Sequence, residues 1–174
     1  RYSKEGYVPG TFYRGGSYFL SAEKKINEDH SIGFVGFGAP TVQGRQGIST
    51  QEAYDLADNN YYNSYWGYQN GEKRNSRIRN AHQPIMLLTH YWDVNEKTEL
   101  TSSLSYQFGR YGSTRLNWYD AQDPRPDYYR YLPSFYEGED ADQYERLTRK
   151  WKNNEEFRQL DWDRMYFANR KNLY

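Results

Sequence analysis

Apolar and polar residues alternate along ten positions in the middle of the chain. One set of alternate positions is largely apolar and consists of Leu100, Ser102, Leu104, Tyr106 and Phe108. The other set is small and uncharged and consists of Thr101, Ser103, Ser105, Gln107 and Gly109. A period of two residues predicts a β-strand, and a polar face without charge fits a wet lumen better than a charged protein surface. We expect the strand to continue to Trp118 after a bend at Gly109 or Gly112.

Three further segments have the composition of strands. Residues 17–26 and 31–39 flank the polar turn Asn27–His30, and residues 85–94 precede the alternating strand across the turn Asn95–Lys97. The sequence therefore predicts two antiparallel hairpins whose tight turns lie at the same end of the sheet. On the third strand, the side chains that we assign to the same outward face as the apolar set are Met86, Leu88, His90 and Trp92. The predicted fold class is all-β.

Two long polar connections, 41–83 and 120–174, complete the pattern. The first contains a predicted short helix with a capping box formed by Ser49 and Glu52. The second contains a predicted helix from Ala141, whose apolar face consists of Tyr144, Leu147 and Trp151, followed by a less regular helix. Compact domains rarely contain two such connections, whereas membrane β-barrels routinely combine short turns on one side with long loops on the other.

Composition narrows the function classes. The 23 basic and 23 acidic residues cancel, which removes the electrostatic argument for nucleic-acid binding. Cysteine is absent, so disulfides and thiolate sites are excluded. Aromatic residues make up 19% of the chain, which argues against disorder. Aromatic side chains that bury one side and expose the other to water are typical of carbohydrate-binding surfaces, protein interfaces and the aromatic girdles of membrane proteins.

Motifs of catalysis and metal binding are missing from the sequence. It contains no G-x-S-x-G, no P-loop and no H-E-x-x-H. The three histidines, His30, His82 and His90, have no partner at metal-ligand spacing. The acidic residues of the second connection lack the calcium-loop pattern, and we interpret them as solvated. We expect no enzyme activity, no catalytic residue, no metal site and no cofactor.

Four stretches of the chain resemble a known family. They are FYRGGSYFLSAEKKINEDHSIGFVGFGAPTVQGRQG, NNYYNSYWGYQNGEKRNSRIR, QPIMLLTHYWDVNEKTELTSSLSYQFGRYGSTRLNWYDAQDPRPDYYRYLPS and DWDRMYFANR. They are similar to a middle part of the barrel in TonB-dependent outer-membrane receptors of the Bacteroidota, in the group with a carboxypeptidase-like domain. The resemblance implies a large barrel closed by a plug, and nutrient import driven by the proton-motive force through the TonB–ExbB–ExbD complex.

The resemblance also implies what must complete the chain. We recognise neither a TonB box nor a plug in residues 1–174, and four strands cannot close a barrel because the smallest has eight. We therefore expect a transmembrane β-barrel segment of about four strands in two hairpins, with long extracellular loops that contain short helices. The expected partners are the rest of the receptor chain, the lipid bilayer of the outer membrane, TonB–ExbB–ExbD through an N-terminal part, and a surface lipoprotein.

Two alternatives stay open at this point. In the first, a receptor-type barrel is a structural platform for surface lipoproteins rather than a transporter. In the second, the chain is a soluble, aromatic-rich glycan-binding module. A plug and a TonB box in the full-length chain would favour transport over the first alternative.

The candidate ligand-binding residues lie in the long connections. Tyrosine offers flat contact area and a hydrogen bond at low entropic cost, and the prolines between residues 124 and 133 fix the backbone before a ligand arrives. The candidates are Asp123, Arg125, Asp127, Tyr128, Tyr129, Tyr131, Tyr65 and Trp66. The competing interpretation is that these rings pack loop against loop without touching a ligand.

Overall fold

The computed structural model describes residues 2–3, 5–118 and 121–171. This part of the chain is mostly β, with three antiparallel sheets and few helices. The strands are β1 (Tyr2–Ser3), β2 (Phe12–Gly15), β3 (Tyr18–Lys25), β4 (His30–Gly38), β5 (Thr41–Gly44), β6 (Trp66–Gln69), β7 (Glu72–Asn75), β8 (Ile78–His82), β9 (Ile85–Asn95), β10 (Thr98–Gln107) and β11 (Arg110–Ser113). The α-helices are α1 (Gln51–Ala57), α2 (Ala141–Asn153) and α3 (Trp162–Lys171), and short 3₁₀ helices span Tyr129–Tyr131, Pro133–Tyr136 and Glu156–Arg158.

The chain divides into two compact units. The first, which we call the sheet unit, consists mainly of residues 14–42 and 79–113. The second, which we call the loop unit, consists mainly of residues 5–13, 43–78 and 114–171. The long connections of the sequence are therefore folded into a unit of their own.

The main sheet of the sheet unit has the strand order β10-β9-β4-β3, with antiparallel neighbours. Both predicted hairpins are confirmed, as β3 with β4 and β9 with β10. The first tight turn is an Asx turn, in which Asn27 Oδ1 accepts hydrogen bonds from the amides of Asp29 and His30. His30 lies opposite Trp92, and the Asp93 amide donates to the Asp29 carbonyl at 2.8 Å. The two tight turns therefore lie at the same end of the sheet, as the sequence predicts.

Register confirms that the two predicted outward sets share one face. Directly opposed residues on antiparallel strands lie on the same side of a sheet. The opposed pairs are Leu100 with Trp92, Ser102 with His90, Leu104 with Leu88, and Tyr106 with Met86. Strand β4 adds Ile32 and Phe34 to the same rows. We call this side of the main sheet the apolar face.

Each strand of the main sheet continues beyond a break. A second sheet has the order β1-β2-β5-β8-β11, in which the last four strands adjoin β3, β4, β9 and β10 along the chain in the same lateral order. Pro40 and Pro84, which have no N–H to donate, lie in two of the breaks. Gly109 lies in another with φ of +114°, so the predicted bend is confirmed there. The predicted continuation to Trp118 is wrong, because β11 ends at Ser113.

The first long connection contains more strand than the sequence predicts. Strands β5 to β8 all lie within residues 41–83, where we predict only a helix. Strands β6 and β7 form a hairpin closed by Asn70 and Gly71, whose φ angles are +49° and +81°. Positive φ at both central residues is the geometry of a type I′ turn, for which Asn-Gly is the strongest sequence signal.

Helix α1 forms where predicted, but its cap is a different residue. Thr50 is the N-cap, and its side chain accepts a hydrogen bond from the Ala53 amide at 3.3 Å. The predicted capping box of Ser49 with Glu52 is therefore wrong. Glu52 instead accepts hydrogen bonds from the amide and hydroxyl of Ser134 at 2.8 and 2.5 Å, which ties the two long connections together.

Helix α2 begins at Ala141, as predicted, because Asp140 Oδ1 caps it by accepting from the Gln143 amide at 3.0 Å. Leu147 and Trp151 of its predicted apolar face are buried, while Tyr144 is 39% exposed. The less regular helix that follows in the sequence is confirmed as the 3₁₀ helix Glu156–Arg158 and helix α3. None of the helices in the described residues is long and apolar enough to cross a membrane.

The loop unit has its own small core. The buried cluster consists of Ala53, Tyr62, Leu132 and Trp151. Its polar atoms find backbone partners: Trp151 Nε1 donates to the Tyr131 carbonyl at 2.9 Å, and the Tyr62 hydroxyl donates to the Arg158 carbonyl at 3.0 Å. The second of these bonds joins the two long connections, so the core helps to hold them together.

Candidate functional site

The loop unit contains an open cavity of about 450 Å³ that we call the aromatic basin. Such a volume lies within the range of small-molecule sites. The residues that line it and carry the argument below are Trp118, Gln122, Asp123, Tyr128, Arg130 and Tyr131. Four of the eight candidate ligand residues fall in or beside this cavity as one group, namely Asp123, Tyr128, Tyr129 and Tyr131.

Local sequence explains how the basin forms. The turn begins at Asp123, whose Oδ1 accepts a hydrogen bond from the Arg125 amide at 3.0 Å. Pro124 and Pro126 restrict the backbone, and the Tyr128 amide then donates to the Arg125 carbonyl at 3.1 Å. The two 3₁₀ helices that follow carry Tyr131, Phe135 and Tyr136, whose side chains line the cavity.

An ion pair between the buried Asp123 carboxylate and the partly exposed Arg125 fixes one side of the basin. Asp123 is 6% exposed, and its two carboxylate oxygens accept hydrogen bonds from Arg125 Nε and a terminal nitrogen at 2.6–3.1 Å. This side-chain hydrogen bonding raises the pKa of Arg125 above its ordinary value. The guanidinium also lies 5.5 Å from the centre of the Trp118 ring. The pair is neutral as a unit, and its carboxylate is fully occupied.

The rings pack edge to face in a continuous series. Tyr128 makes such contacts with Tyr129 and Tyr131, at centroid distances of 4.6 and 5.6 Å. Tyr129 continues to Phe135 at 5.3 Å, and Phe135 to Tyr136 at 5.1 Å. Edge-to-face contacts are favourable for aromatic rings, so the basin wall is ordered before any ligand binds. Both interpretations of these rings therefore have support, since they pack on one another and also line an open cavity.

A polar group lies at the edge of this ring series. Arg130 Nε donates to the Tyr129 hydroxyl oxygen at 2.9 Å. This bond lowers the pKa of Tyr129, and a second bond from the Tyr128 hydroxyl lowers it further. The same bond to Tyr129 raises the pKa of Tyr128. Within the described residues, no carboxylate forms an ion pair with Arg130.

Arg125 and Asp127 support the site from outside the cavity lining. Arg125 does so through the buried ion pair. Asp127 Oδ2 accepts a hydrogen bond from Ser49 Oγ at 2.8 Å, which links the turn to the segment before helix α1. Its other carboxylate oxygen, Oδ1, is buried with no hydrogen-bond partner in the described part of the chain.

The structure does not bring Tyr65 and Trp66 to the basin. Trp66 is 6% exposed, its carbonyl accepts from the Leu160 amide at 2.9 Å, and its ring packs in the loop unit. Tyr65 lies under the guanidinium of Arg77, 5.6 Å from the ring centre. Spacing along the chain gave no sign of this burial, because the partner Leu160 is distant in sequence.

The candidate list from the sequence lacked several basin residues, among them Trp118, Gln122 and Arg130. Arg130 lies between Tyr129 and Tyr131 and could have been found by asking which charge interrupts the aromatic run. Trp118 and Gln122 had no comparable local signal, because they approach the basin from the chain before the turn.

Histidines approach one another on the apolar face without forming a metal site. His30 Nδ1 and His90 Nε2 are 2.9 Å apart and share a hydrogen bond, and the His30 ring stacks on Trp92 at 5.4 Å. Throughout the described residues, no group of three or more His, Asp or Glu side chains is placed to hold a metal ion.

The apolar face is a second candidate functional surface. Its large side chains are exposed rather than covered, and they include Leu20 at 62%, Leu104 at 69% and Tyr106 at 63%. Contiguous exposed apolar surface marks a contact with a protein or a membrane. The opposite face of β10 carries hydroxyls, such as Ser103, whose Oγ lies 3.1 Å from Thr89 Oγ1.

Charged residues are excluded from a band across all four strands of the main sheet. Residues 17–22, 31–38, 85–92 and 100–107 contain no Asp, Glu, Lys or Arg. Charges resume at both ends, for example at Asp93 and Glu99 beside the tight turns and at Arg79 and Arg110 beyond the breaks. A stretch such as Leu100–Phe108 extends roughly 30 Å along a strand. At a tilt of about 40° it covers roughly 23 Å, close to the ~25 Å apolar band of outer-membrane barrels.

Comparison with known proteins adds no relative, since no protein-family model, curated protein or solved structure matches the chain.

Proposed function

We propose that this chain is a four-stranded segment of a transmembrane β-barrel in a TonB-dependent receptor of the Bacteroidota outer membrane, which imports a nutrient. The single observation that carries the proposal is the uncharged band across all four strands of the main sheet, together with the exposed side chains of its apolar face. In this arrangement the apolar face contacts lipid. The opposite face carries hydroxyls on β10 and the rings of Phe19, Phe37 and Tyr91 on the other strands, and it lines the lumen or contacts the plug. The alternation of β10 is then explained, because one side of the strand contacts lipid and the other side contacts the aqueous lumen or the plug.

The free edges of the main sheet support membership of a larger barrel. Strand β3 lies at one edge and β10 at the other, and within the described residues neither has a second partner in that sheet. An open edge in lipid leaves backbone donors and acceptors unsatisfied, at several kcal/mol for each group. Neighbouring strands from the rest of the receptor chain would satisfy both edges. A soluble glycan-binding module fits less well, because its apolar face would need a cover.

The chain contributes to uptake through its loops. Both long connections leave the main sheet from the end opposite the tight turns, and the aromatic basin belongs to the second of them. In a receptor of this kind the long loops face outward, so a nutrient meets them before it meets the strands. The energy for import comes from TonB–ExbB–ExbD acting on another part of the receptor. The segment itself binds and positions, without transforming the nutrient.

Growth under nutrient limitation tests the transport role against the platform role. Cells that lack the receptor gene are complemented with the full-length receptor or with a form without its TonB box, on a panel of single nutrients. We expect the full-length form alone to restore growth on at least one nutrient, with both forms equally abundant in the outer membrane. Equal restoration by the form without the TonB box would favour a platform for surface lipoproteins.

A further inference from the structure

Among the described residues that line it, the aromatic basin offers hydrogen-bond donors but no free carboxylate. Asp123 is the one carboxylate among the described lining residues, and Arg125 occupies both of its oxygens. Within the described lining, a cationic ligand would therefore find no counter-charge without displacing Arg125 from the buried Asp123 carboxylate, which is costly.

Three residues in or beside the basin keep hydrogen-bond donors that a ligand can use. Arg130 uses Nε for the Tyr129 hydroxyl and is exposed, so its two terminal nitrogens can donate to a ligand. The Tyr129 oxygen accepts from Arg130, and the lowered pKa of Tyr129 makes its hydroxyl proton a better donor to a ligand. Gln122 accepts from the Tyr131 hydroxyl through Oε1 at 3.2 Å, which leaves its amide hydrogens available.

This arrangement of donors and rings fits a ligand that has a group rich in hydrogen-bond acceptors attached to a flat ring. A guanidinium with two free nitrogens matches a carboxylate in bidentate geometry, while the faces of Tyr128 and Trp118 match a ring. Charge and shape thus point to the same kind of molecule, one in which an anionic group is attached to a ring.

We propose that the aromatic basin binds a ring that carries a carboxylate, either an acidic sugar or an aromatic acid, with the carboxylate at Arg130 and the ring against the tyrosines. The inference rests on the proposed role of the loops in nutrient capture and specifies the chemistry of what they capture. Because Arg130 is exposed, the attraction is screened by salt.

Calorimetry on the purified full-length receptor tests the proposal with matched probes. Trigalacturonate is compared with galactotriose, and benzoate with benzyl alcohol, so that each pair differs mainly in the carboxylate. We expect at least one anionic probe to bind at least tenfold more tightly than its neutral partner, and to weaken at higher salt. Binding of trigalacturonate alone assigns the ring to a sugar, and binding of benzoate alone assigns it to an aromatic acid.

Variants then assign the preference to the basin. Arg130→Gln should reduce the affinity for the anionic probe at least tenfold and leave the neutral partner unchanged, and Tyr129→Phe should act in the same direction while keeping the ring. Arg149→Gln, an exposed arginine on α2, is the control and should change neither. The inference is overturned if neither anionic probe binds, if the neutral probes bind equally well, or if Arg130→Gln has no effect. Growth on the nutrient panel and outer-membrane abundance are measured for the same variants. They show whether the proposed transport role holds, independently of whether the basin prefers a carboxylate.

Discussion

At the residue scale, neighbouring side chains on one strand have opposite surroundings. Leu104 is 69% exposed on the apolar face and lies opposite Leu88. Ser103 points to the other side, where its hydroxyl lies 3.1 Å from that of Thr89. If the apolar face contacts lipid, a charge at these two positions has very different costs, although the positions adjoin in sequence.

We predict that Leu104→Arg destabilises the receptor in lipid by about 2–4 kcal/mol, because a charge near the bilayer midplane loses its hydration. Ser103→Arg should cost much less, since in the proposed barrel its side chain would face the lumen. Urea titration of the receptor folded into lipid vesicles measures both. Equal losses at the two positions would contradict the assigned faces.

A second residue-scale prediction concerns the core of the loop unit. Burial, with a smaller contribution from the charge of Asp127, raises the pKa of Tyr62 far above its ordinary value. The folded state therefore keeps the Tyr62 proton at a pH where the unfolded state releases it. By linkage, this contribution to stability is complete below a pH of about 10 and falls as the pH rises further.

We expect Tyr62→Phe to reduce the alkaline loss of stability while costing about 1 kcal/mol at neutral pH through the lost hydrogen bond to Arg158. The exposed Tyr61, changed to Phe, is the matched control and should change neither quantity. Denaturant unfolding at several pH values between 8 and 11, followed by tryptophan fluorescence, gives the measurement. An unchanged alkaline slope in Tyr62→Phe would show that another group causes it.

At the element scale, two glycines of the β6–β7 hairpin have different physical roles. Gly71 has φ of +81° and open space where a Cβ would lie, so its role is conformational. A Cβ on Gly67 would clash with the backbone of Leu160, so Gly67 is needed to let the two backbone segments pack closely.

We predict that Gly71→Ala costs about 1 kcal/mol from the left-handed conformation alone, and that Gly67→Ala costs more, because the Leu160 backbone must move. Gly112→Ala has neither constraint and should be close to neutral. Unfolding free energies of the three variants provide the test, and the ranking fails if Gly71→Ala is the most damaging.

Local sequence determined some elements and left others undetermined. Period-two alternation predicted β10, and the apolar spacing of Tyr144, Leu147 and Trp151 predicted α2, because both signals lie within the element itself. The β6–β7 hairpin was missed although Asn70-Gly71 marks its turn, since the flanking strands are short and polar. The cap of α1 was displaced by one residue because Ser49 had a competing partner, Asp127, far along the chain.

The candidate site shows the same dependence on distance along the chain. The segment from Asp123 to Tyr131 was identified because a rigid turn and its tyrosines are adjacent in sequence. The segment around Trp66 looks equally aromatic, yet Trp66 is buried against Leu160, a contact that no local pattern predicts. Composition could identify rings that suit a ligand, but only tertiary packing decides which of them stay open.

At the scale of the whole molecule, the arrangement of turns and connections defines two ends of the main sheet. The tight turns occupy one end, and both long connections start from the other. In the proposed receptor these ends face the periplasm and the outside of the cell. The uncharged band between them would then lie in the bilayer.

This orientation predicts which short tags are accessible on living cells. A tag inserted at Gly138, an exposed residue with φ of +79° and free space around it, should bind an antibody added to intact cells. A tag inserted between Glu96 and Lys97, in the β9–β10 turn, should bind only after the outer membrane is permeabilised. Equal abundance in isolated outer membranes is the control for both insertions. Accessibility of the Glu96–Lys97 tag on intact cells, with the Gly138 tag protected, would show that the chain is inserted the other way round. Release of both tagged proteins into the soluble fraction would instead contradict the membrane proposal itself. The apolar face would then be explained as an interface with another protein.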